Sequence, residues 1–205
     1  MQKVSPYYQH LSKDKKLSKL LSKHEPFELT MRSPIYLYLC YSIMSQQLST
    51  KVATVIKQRF TKLYKGKPTP KKILDTPVET LRSIGLSNAK ANYVHNVAQF
   101  ALENGMDHKT LGKMNNEELI EHVTRIKGVG RWTAEMLMMF TLGREDIFSP
   151  DDLGIQQAMI NIYKLDGADR KKLREEMLRI SSKWTPYRTY ACLHLWHHKD
   201  NSPLS

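Results

Sequence analysis

The chain has 205 residues, of which 40% are hydrophobic and 25% are charged. These ordinary values for a globular protein exclude collagen-like repeats and a wholly disordered chain. The charge balance is less ordinary, because 32 lysines and arginines against 20 aspartates and glutamates leave a net charge of +12. So basic a chain is expected to bind a polyanion, either nucleic acid or an anionic membrane surface.

The N-terminal segment and the cysteine content indicate the compartment. Met1–Lys23 contains several lysines and no apolar run, so we expect no secretory signal. The longest apolar stretch, Ile35–Met44, is interrupted by tyrosines and a serine and is too short to span a bilayer. Two cysteines, Cys40 and Cys192, cannot form a disulfide framework or an iron–sulfur cluster. We expect a cytoplasmic protein, associated with the nucleoid if the source is bacterial.

The first half of the chain predicts helices joined by short turns, and no strands, because alternating β-branched runs are missing. Ser33-Pro34 predicts an N-cap followed by proline at the first helical position, and Ser49 or Thr50 is expected to cap the next helix. Thr76-Pro77-Val78-Glu79 matches a capping box, and the lysine-rich segment Lys62–Lys72 is expected to be a loop. The inward-facing residues predicted for the first two helices are Ile35, Leu39 and Ile43, then Val52, Val55, Ile56 and Phe60.

Besides a helix that begins near Asp151 and Asp152, the second half of the chain predicts four others. Asn115 or Asn116 precedes the first of them, and Gly128-Val129-Gly130 separates it from the second. Asp169 is expected to cap the third, and Thr185-Pro186 is expected to open the last. The inward-facing residues are predicted to be Leu119, Val123 and Ile126, then Ala134, Leu137, Met138 and Thr141, then Leu173, Met177 and Ile180. The sequence therefore predicts an all-α, multi-helix single domain.

The most specific stretch of the sequence is Ile126-Lys127-Gly128-Val129-Gly130-Arg131-Trp132-Thr133-Ala134, between two predicted helices. Two glycines one residue apart let the backbone turn tightly and approach a partner closely. The N–H groups at the start of the second helix would then face an anion such as a DNA phosphate, whatever the DNA sequence. A Gly-x-Gly alone is more typical of an ordinary corner between helices with a glycine C-cap.

Two adjacent acids follow in Phe148-Ser149-Pro150-Asp151-Asp152-Leu153-Gly154-Ile155, at the start of the next predicted helix. In a basic chain, a carboxylate that faces DNA repels the polyanion unless it has a chemical role. Either acid could instead be a simple helix N-cap. The two roles are compatible, because capping by backbone N–H groups and the helix dipole would hold the carboxylate in place.

Four blocks of sequence together resemble the helix-hairpin-helix (HhH-GPD) superfamily of DNA glycosylases, and most closely its 3-methyladenine DNA glycosylase II type. The blocks are Ser45–Ser49, the Gly-x-Gly stretch, Phe148–Gln157 and Trp184–Trp196. The resemblance covers roughly Ser33 to His198. It implies a compact form without an N-terminal β domain, with two helical lobes and the active site in the cleft between them. It also implies one domain over residues 1–205, with the helix-hairpin-helix at about 116–142.

The resemblance implies a monofunctional glycosylase of base excision repair, which hydrolyses the N-glycosidic bond of alkylated purines of the 3-methyladenine and 7-methylguanine type. The base would first be flipped out of duplex DNA. Asp152 matches the catalytic aspartate, which would stabilise positive charge on the sugar or act as the base for the attacking water. Trp132 and Trp196 match aromatic base-pocket positions, where indole faces favour cationic bases. Met136 departs from the pattern at a third pocket position, where the best-known bacterial relative has a tyrosine. Trp132 stands where bifunctional relatives carry a lysine nucleophile, so no AP-lyase activity is expected.

The resemblance also implies the DNA contacts. Gln47 matches the residue that fills the gap left by the flipped nucleotide, and Leu48 is the neighbouring candidate. Thr133 and the amides of Gly128 and Gly130 would contact a phosphate. The expected partner is double-stranded DNA with alkylated bases, not a membrane, and the protein is expected to be a monomer.

The carbonyl groups of Thr124, Ile126 and Val129 match those that hold a monovalent cation, Na⁺ or K⁺, in family members; no catalytic cofactor is expected.

A non-catalytic helix-hairpin-helix DNA-binding module is the alternative function, since the hairpin and the positive charge would suffice for it. His194 has zinc-compatible spacing with His197 or His198, although core or surface roles are expected for these histidines.

Overall fold

A computed structural model of the protein describes residues 5–23 and 25–201. Within these ranges the chain forms thirteen α-helices, one short 3-10 helix and no β-strand, which confirms the predicted all-α fold. No helix in them is long and apolar enough to cross a membrane. The chain divides into a continuous unit, Met31–Leu142, and a discontinuous unit, Met1–Thr30 with Gly143–Ser205.

The continuous unit is built around its longest helix, α7, which packs against α3, α5 and α6. The buried face of α7 carries small and β-branched residues at helical spacing, among them Ala91, Val94 and Ala98. The helices of this unit are α3 (Ile35–Ser45), α4 (Thr50–Leu63), α5 (Pro70–Leu74), α6 (Val78–Ser83), α7 (Asn88–Asn104), α8 (His108–Leu111), α9 (Asn116–Thr124) and α10 (Arg131–Phe140).

Two of the predicted caps in the continuous unit are confirmed. Asn115 caps α9 in a capping box: its side chain accepts the Glu118 amide at 3.0 Å, and the Glu118 carboxylate accepts the Asn115 amide at 2.7 Å. Ser49 caps α4 by accepting the Val52 amide. Substituting a cap of this kind by alanine typically costs about 1 kcal/mol.

Two other predicted starts in this unit are wrong. Pro34, not Ser33, is the N-cap of α3, and no side chain caps that helix. The predicted capping box at Thr76 does not form, because Pro77 occupies the N-cap of α6. The Thr76 hydroxyl instead donates to the Lys72 carbonyl at 2.7 Å.

The lysine-rich segment and the buried face of α4 also differ from expectation. The segment is not all loop, because Thr69 caps a short helix that Pro70 begins. In α4, Val52 and Val55 are 46% and 38% exposed. Ile56 and Phe60 are buried as predicted, and Ala53 completes the buried face of this helix.

The discontinuous unit joins residues from both ends of the chain. Asp14 caps α2 and also accepts the Tyr163 hydroxyl at 2.8 Å and the Trp184 indole N–H at 3.1 Å. Asp169 caps α12 as predicted. The final helix begins at Arg188, later than Thr185-Pro186 predicts. The helices of this unit are α1 (Pro6–Leu11), α2 (Lys15–Leu21), α11 (Leu153–Tyr163), α12 (Arg170–Ser181) and α13 (Arg188–Asn201), with the 3-10 helix Ser182–Trp184 before α13.

Candidate functional site

Asp152 is the N-cap of α11, and two donors hold its carboxylate. The Ile155 amide donates to Oδ1 at 2.9 Å, and the Trp196 indole Nε1–H donates to the same oxygen at 2.8 Å. One donor belongs to α11 and the other to α13, which pack against each other. The positive end of the α11 dipole further favours a negative charge here. Asp152 is therefore both a cap and a carboxylate with a fixed orientation.

Gly154 makes this arrangement possible, a role that sequence reasoning missed. A Cβ atom at this position would lie 3.0 Å from Cδ1 of Trp196 and 3.1 Å from Oδ1 of Asp152. Both distances are shorter than ordinary van der Waals contacts, so a larger residue would displace the carboxylate or the indole. The only signal in the sequence is a glycine two residues after the aspartate.

The neighbouring acid, Asp151, is placed differently. It is exposed and pairs loosely with Arg174, with 3.4 Å between Nε and Oδ1. An exposed pair of this kind contributes little to stability. Gln156 restrains the turn just before the two acids, because its side-chain amide donates to the Pro150 carbonyl at 2.9 Å. Of the two acids, only Asp152 is fixed by donors from two helices.

The fourth sequence block secures the segment that leads to Asp152. Arg188 forms a bidentate pair with Asp146, at 2.6 Å from Nε and 3.0 Å from Nη2. The Tyr190 hydroxyl donates to Glu145 at 2.8 Å, and burial together with this contact raises the pKa of Tyr190. The buried Thr189 hydroxyl accepts the Ile147 amide at 3.0 Å. These contacts attach the start of α13 to the chain just before the Asp151–Asp152 pair.

The hairpin lies between α9 and α10, and its two glycines have different roles. Gly128 adopts φ +104°, and a Cβ atom there would come within 2.4 Å of the Tyr93 ring. Only glycine fits this conformation and this contact. Gly130 has an ordinary φ of −97° and is the N-cap of α10, with no atom within 4 Å of a Cβ built on it. Gly130 therefore leaves the approach to the first turn of α10 open, as phosphate binding to its amides requires.

The predicted pocket residues on α10 differ in exposure. Trp132 is 44% exposed, whereas Thr133 and Met136 are 3% and 4% exposed. Thr133 lies in the first turn of α10, where backbone amides lack acceptors within the helix. Arg131 beside Trp132 forms a bidentate ion pair with Glu117, at 2.7 and 3.0 Å.

The turn between α3 and α4, which we call the Ser45–Ser49 turn, holds both candidate gap-filling residues. Gln47 adopts a left-handed conformation with φ +58°, which costs a non-glycine residue about 1–2 kcal/mol. Leu48 follows it, and both side chains are exposed. Strained backbone of this kind concentrates at binding and catalytic sites. The turn thus presents one polar and one apolar side chain to solvent.

Two histidines near the chain end contact the same aromatic ring. His194 is buried and lies edge-on to Phe27, with 4.7 Å between ring centroids, and the exposed His197 lies 5.9 Å from the same ring. Among residues 5–23 and 25–201, no three histidine, cysteine, aspartate or glutamate side chains are grouped to hold a metal ion.

The sequence matches a known family and curated relatives. Residues 40–183 match the family described as HhH-GPD superfamily base excision DNA repair protein. The chain is 38% identical over 194 residues to the alkylbase DNA glycosidase-like protein mag2 of Schizosaccharomyces pombe, covering 91% of this chain and 90% of that protein. It is 34% identical over 185 residues to DNA-3-methyladenine glycosylase 1 of the same yeast, covering 89% and 80%.

Solved structures are similar over nearly the whole chain. A DNA-3-methyladenine glycosidase from Bacillus halodurans gives a TM-score of 0.85 at 33% identity, covering 96% of this chain and 90% of that one. The 3-methyladenine DNA glycosylase Mag1 of Schizosaccharomyces pombe, in complex with abasic DNA, gives 0.83 at 31% identity, covering 98% and 100%.

Proposed function

Because the chain belongs to the HhH-GPD superfamily of base excision DNA repair proteins, we propose that it is a DNA glycosylase that hydrolyses the N-glycosidic bond of alkylated purines in duplex DNA. The observation that carries the proposal is the carboxylate of Asp152, held by the Ile155 amide and the Trp196 indole. Capping α11 requires only the Ile155 amide, so a protein that only binds DNA has no use for the second donor, from α13, that orients this carboxylate in a chain of net charge +12. The names of the relatives supply the substrate class, an alkylated purine.

Asp152 acts on the sugar in the proposed reaction. The bond between C1′ and the purine nitrogen breaks with both electrons leaving on the base, so positive charge develops on the deoxyribose. The carboxylate stabilises that charge, and its two donors fix it before the reaction begins. Water then adds to C1′ and gives a proton to the carboxylate. An alkylated purine is already cationic and leaves as a neutral base, so no acid is needed to protonate it.

Base selectivity is assigned to Trp132, Trp196 and Met136. The exposed indole of Trp132 offers a π face to a flipped base, and a cation over such a face gains about 0.5–2 kcal/mol. A cationic alkylated purine therefore binds better than a normal one. A tryptophan at position 132 cannot form a Schiff base with the sugar, so the proposed enzyme is monofunctional. Borohydride treatment of the reacting complex is expected to yield no covalent protein–DNA adduct.

DNA binding is assigned to the hairpin and the Ser45–Ser49 turn. The amides of Gly128, Gly130 and Thr133 contact a phosphate, while Gln47 or Leu48 fills the gap left by the flipped nucleotide and offsets part of the unstacking cost. The exposed lysines of the segment Lys62–Lys72 add non-specific, salt-sensitive attraction. Each of these roles falls to a residue of one chain, so the proposed enzyme acts as a monomer. Its place of action is the DNA itself, in the bacterial case the nucleoid.

A monovalent cation, Na⁺ or K⁺, is proposed at the carbonyl groups of Thr124, Ile126 and Val129. Thr124 ends α9, where carbonyls lack intrahelical donors and the dipole is negative, which favours a cation. The Ile126 carbonyl accepts the Val129 amide at 2.9 Å and keeps a second lone pair. The ion would neutralise charge between hairpin and phosphate. Replacing K⁺ by tetramethylammonium at constant ionic strength is expected to weaken DNA binding.

The deciding experiment measures purine release from methylated duplex DNA under single-turnover conditions. Asp152→Asn is expected to lower the rate by about 100-fold or more, the usual effect of removing one electrostatic stabiliser of a transition state. Asp151→Asn is the matched control, because that acid is exposed and is not held by donors from two helices; it should keep the wild-type rate. No release by the wild type, or equal release by Asp152→Asn, would contradict the proposal.

A further inference from the structure

Lys90 lies in the first turn of α7 and contacts the Ser45–Ser49 turn. Its ammonium group donates to the Gln46 carbonyl at 2.6 Å and to the Met44 carbonyl at 3.2 Å. Carbonyls at the end of a helix carry the negative end of its dipole, so an ammonium group is stabilising there. Burial lowers the pKa of Lys90, as expected for an ammonium group that is partly enclosed.

The position of these bonds matters for Gln47. The Gln46 carbonyl belongs to the peptide group that joins Gln46 to Gln47, so a bond to it restrains the orientation of that peptide. Rotation of the same peptide is what would release Gln47 from its left-handed φ of +58°. Such a conformation persists only where surrounding contacts enforce it. Lys90 supplies two of these contacts.

The same face of α7 also contacts the hairpin. Tyr93 and Asn96 follow Lys90 at intervals of three residues, which places all three on one side of the helix. The Tyr93 ring packs against Gly128, and the Asn96 side-chain amide donates to the Lys127 carbonyl at 3.2 Å. The Gln46 side chain links the turn directly to the hairpin by donating to the Gly128 carbonyl at 3.2 Å. One rigid helix thus holds the Ser45–Ser49 turn and the hairpin at a fixed separation.

We propose that Lys90 is a positioning residue for nucleotide flipping, which keeps the Ser45–Ser49 turn in the conformation that inserts Gln47 or Leu48 into the DNA. The inference rests on the proposed function, since it gives Lys90 a part in one step of that reaction. A lysine that served only to attract phosphates would be exposed, whereas Lys90 is half-buried. The ammonium group of Lys90 is instead bonded to two backbone carbonyls of its own chain.

The test compares two duplexes that carry the same alkylated purine. In one the lesion is paired with its normal partner; in the other it faces an abasic analogue, so that flipping costs less. Lys90→Met removes the donors at similar length, and Lys90→Arg keeps them. Lys113→Met is the charge-matched control. Single-turnover release is measured for all variants, with thermal unfolding as the check that each protein is folded.

Lys90→Met is expected to release the paired lesion at least about tenfold more slowly than the wild type, and the unpaired lesion within about threefold of it. Lys90→Arg should recover most of the rate on the paired lesion, and Lys113→Met should behave as wild type. Equal losses on both duplexes would mean a general structural defect and would overturn the inference. The inference would also be overturned if Lys90→Met released the paired lesion at the wild-type rate. The same holds if Lys90→Arg released it as slowly as Lys90→Met. A wild type that releases neither lesion would instead refute the proposed function.

Discussion

Replacing Trp196 by phenylalanine removes the Nε1–H donor of Asp152 and keeps an aromatic ring in its place. The lost bond is 2.8 Å long and ends on a carboxylate. Hydrogen bonds to charged groups contribute about 1.5–3 kcal/mol. If the whole contribution is made in the transition state, the excision rate falls by about 10- to 150-fold.

The chain offers a matched control for this variant. Trp184 also donates its indole N–H to a carboxylate that caps a helix, that of Asp14, at 3.1 Å. Trp184→Phe should therefore lower the melting temperature, because Trp184 is fully buried, and leave the excision rate unchanged below the transition. Trp196→Phe should show the opposite pattern.

A double-mutant cycle compares single-turnover excision by four proteins: the wild type, Trp196→Phe, Asp152→Asn and the double variant. If Trp196 acts through the carboxylate, Trp196→Phe has little further effect once Asp152→Asn is present. A wild-type rate for Trp196→Phe would refute the reasoning. An undiminished effect of Trp196→Phe in the Asp152→Asn background would do the same, because it would assign the indole to base binding alone.

Two further predictions concern the discontinuous unit. Gly154→Ala should slow excision by about tenfold or more with a small change in melting temperature, because the new Cβ displaces the Trp196 indole or the carboxylate beside it; a wild-type rate would contradict this. Burial alone would raise the pKa of Asp14, but its four hydrogen bonds outweigh burial and lower it. The ionised form therefore stabilises the protein above about pH 4, and this contribution is lost as the pH falls further. Asp14→Asn should consequently melt with a shallower pH dependence between about pH 5 and 3, whereas a slope equal to that of the wild type would count against the assignment.

Sequence patterns predicted the elements that depend on neighbours within one turn. The caps at Asn115 and Asp169 are confirmed because each acceptor and donor lie within three residues. In α4 the predicted burial of Ile56 and Phe60 is confirmed and that of Val52 and Val55 is wrong, because packing against α3 selects a face that includes the small Ala53. The periodicity of α4 alone does not show whether Val52 and Val55 or Ala53 lie on the buried side.

The candidate site likewise contains residues that local sequence patterns predict and residues that depend on contacts between distant parts of the chain. Asp152 could be found because a helix start and an acid are adjacent in sequence. Its indole donor could be assigned only to a base pocket, since Trp196 is 44 residues away along the chain. Lys90 lies 44 residues from Gln46 and is one of many lysines in a basic chain, so no local pattern distinguishes it.

The discontinuous unit also sets an order of events during synthesis. Asp14 and its donor Trp184 are 170 residues apart, so this unit remains incomplete until Trp184 has left the ribosome. The continuous unit ends at Leu142 and already contains the hairpin and the Ser45–Ser49 turn. Units of a chain generally fold as they are completed. A growing chain therefore completes the unit that holds the hairpin and the Ser45–Ser49 turn before it completes the unit that holds Asp152 and Trp196.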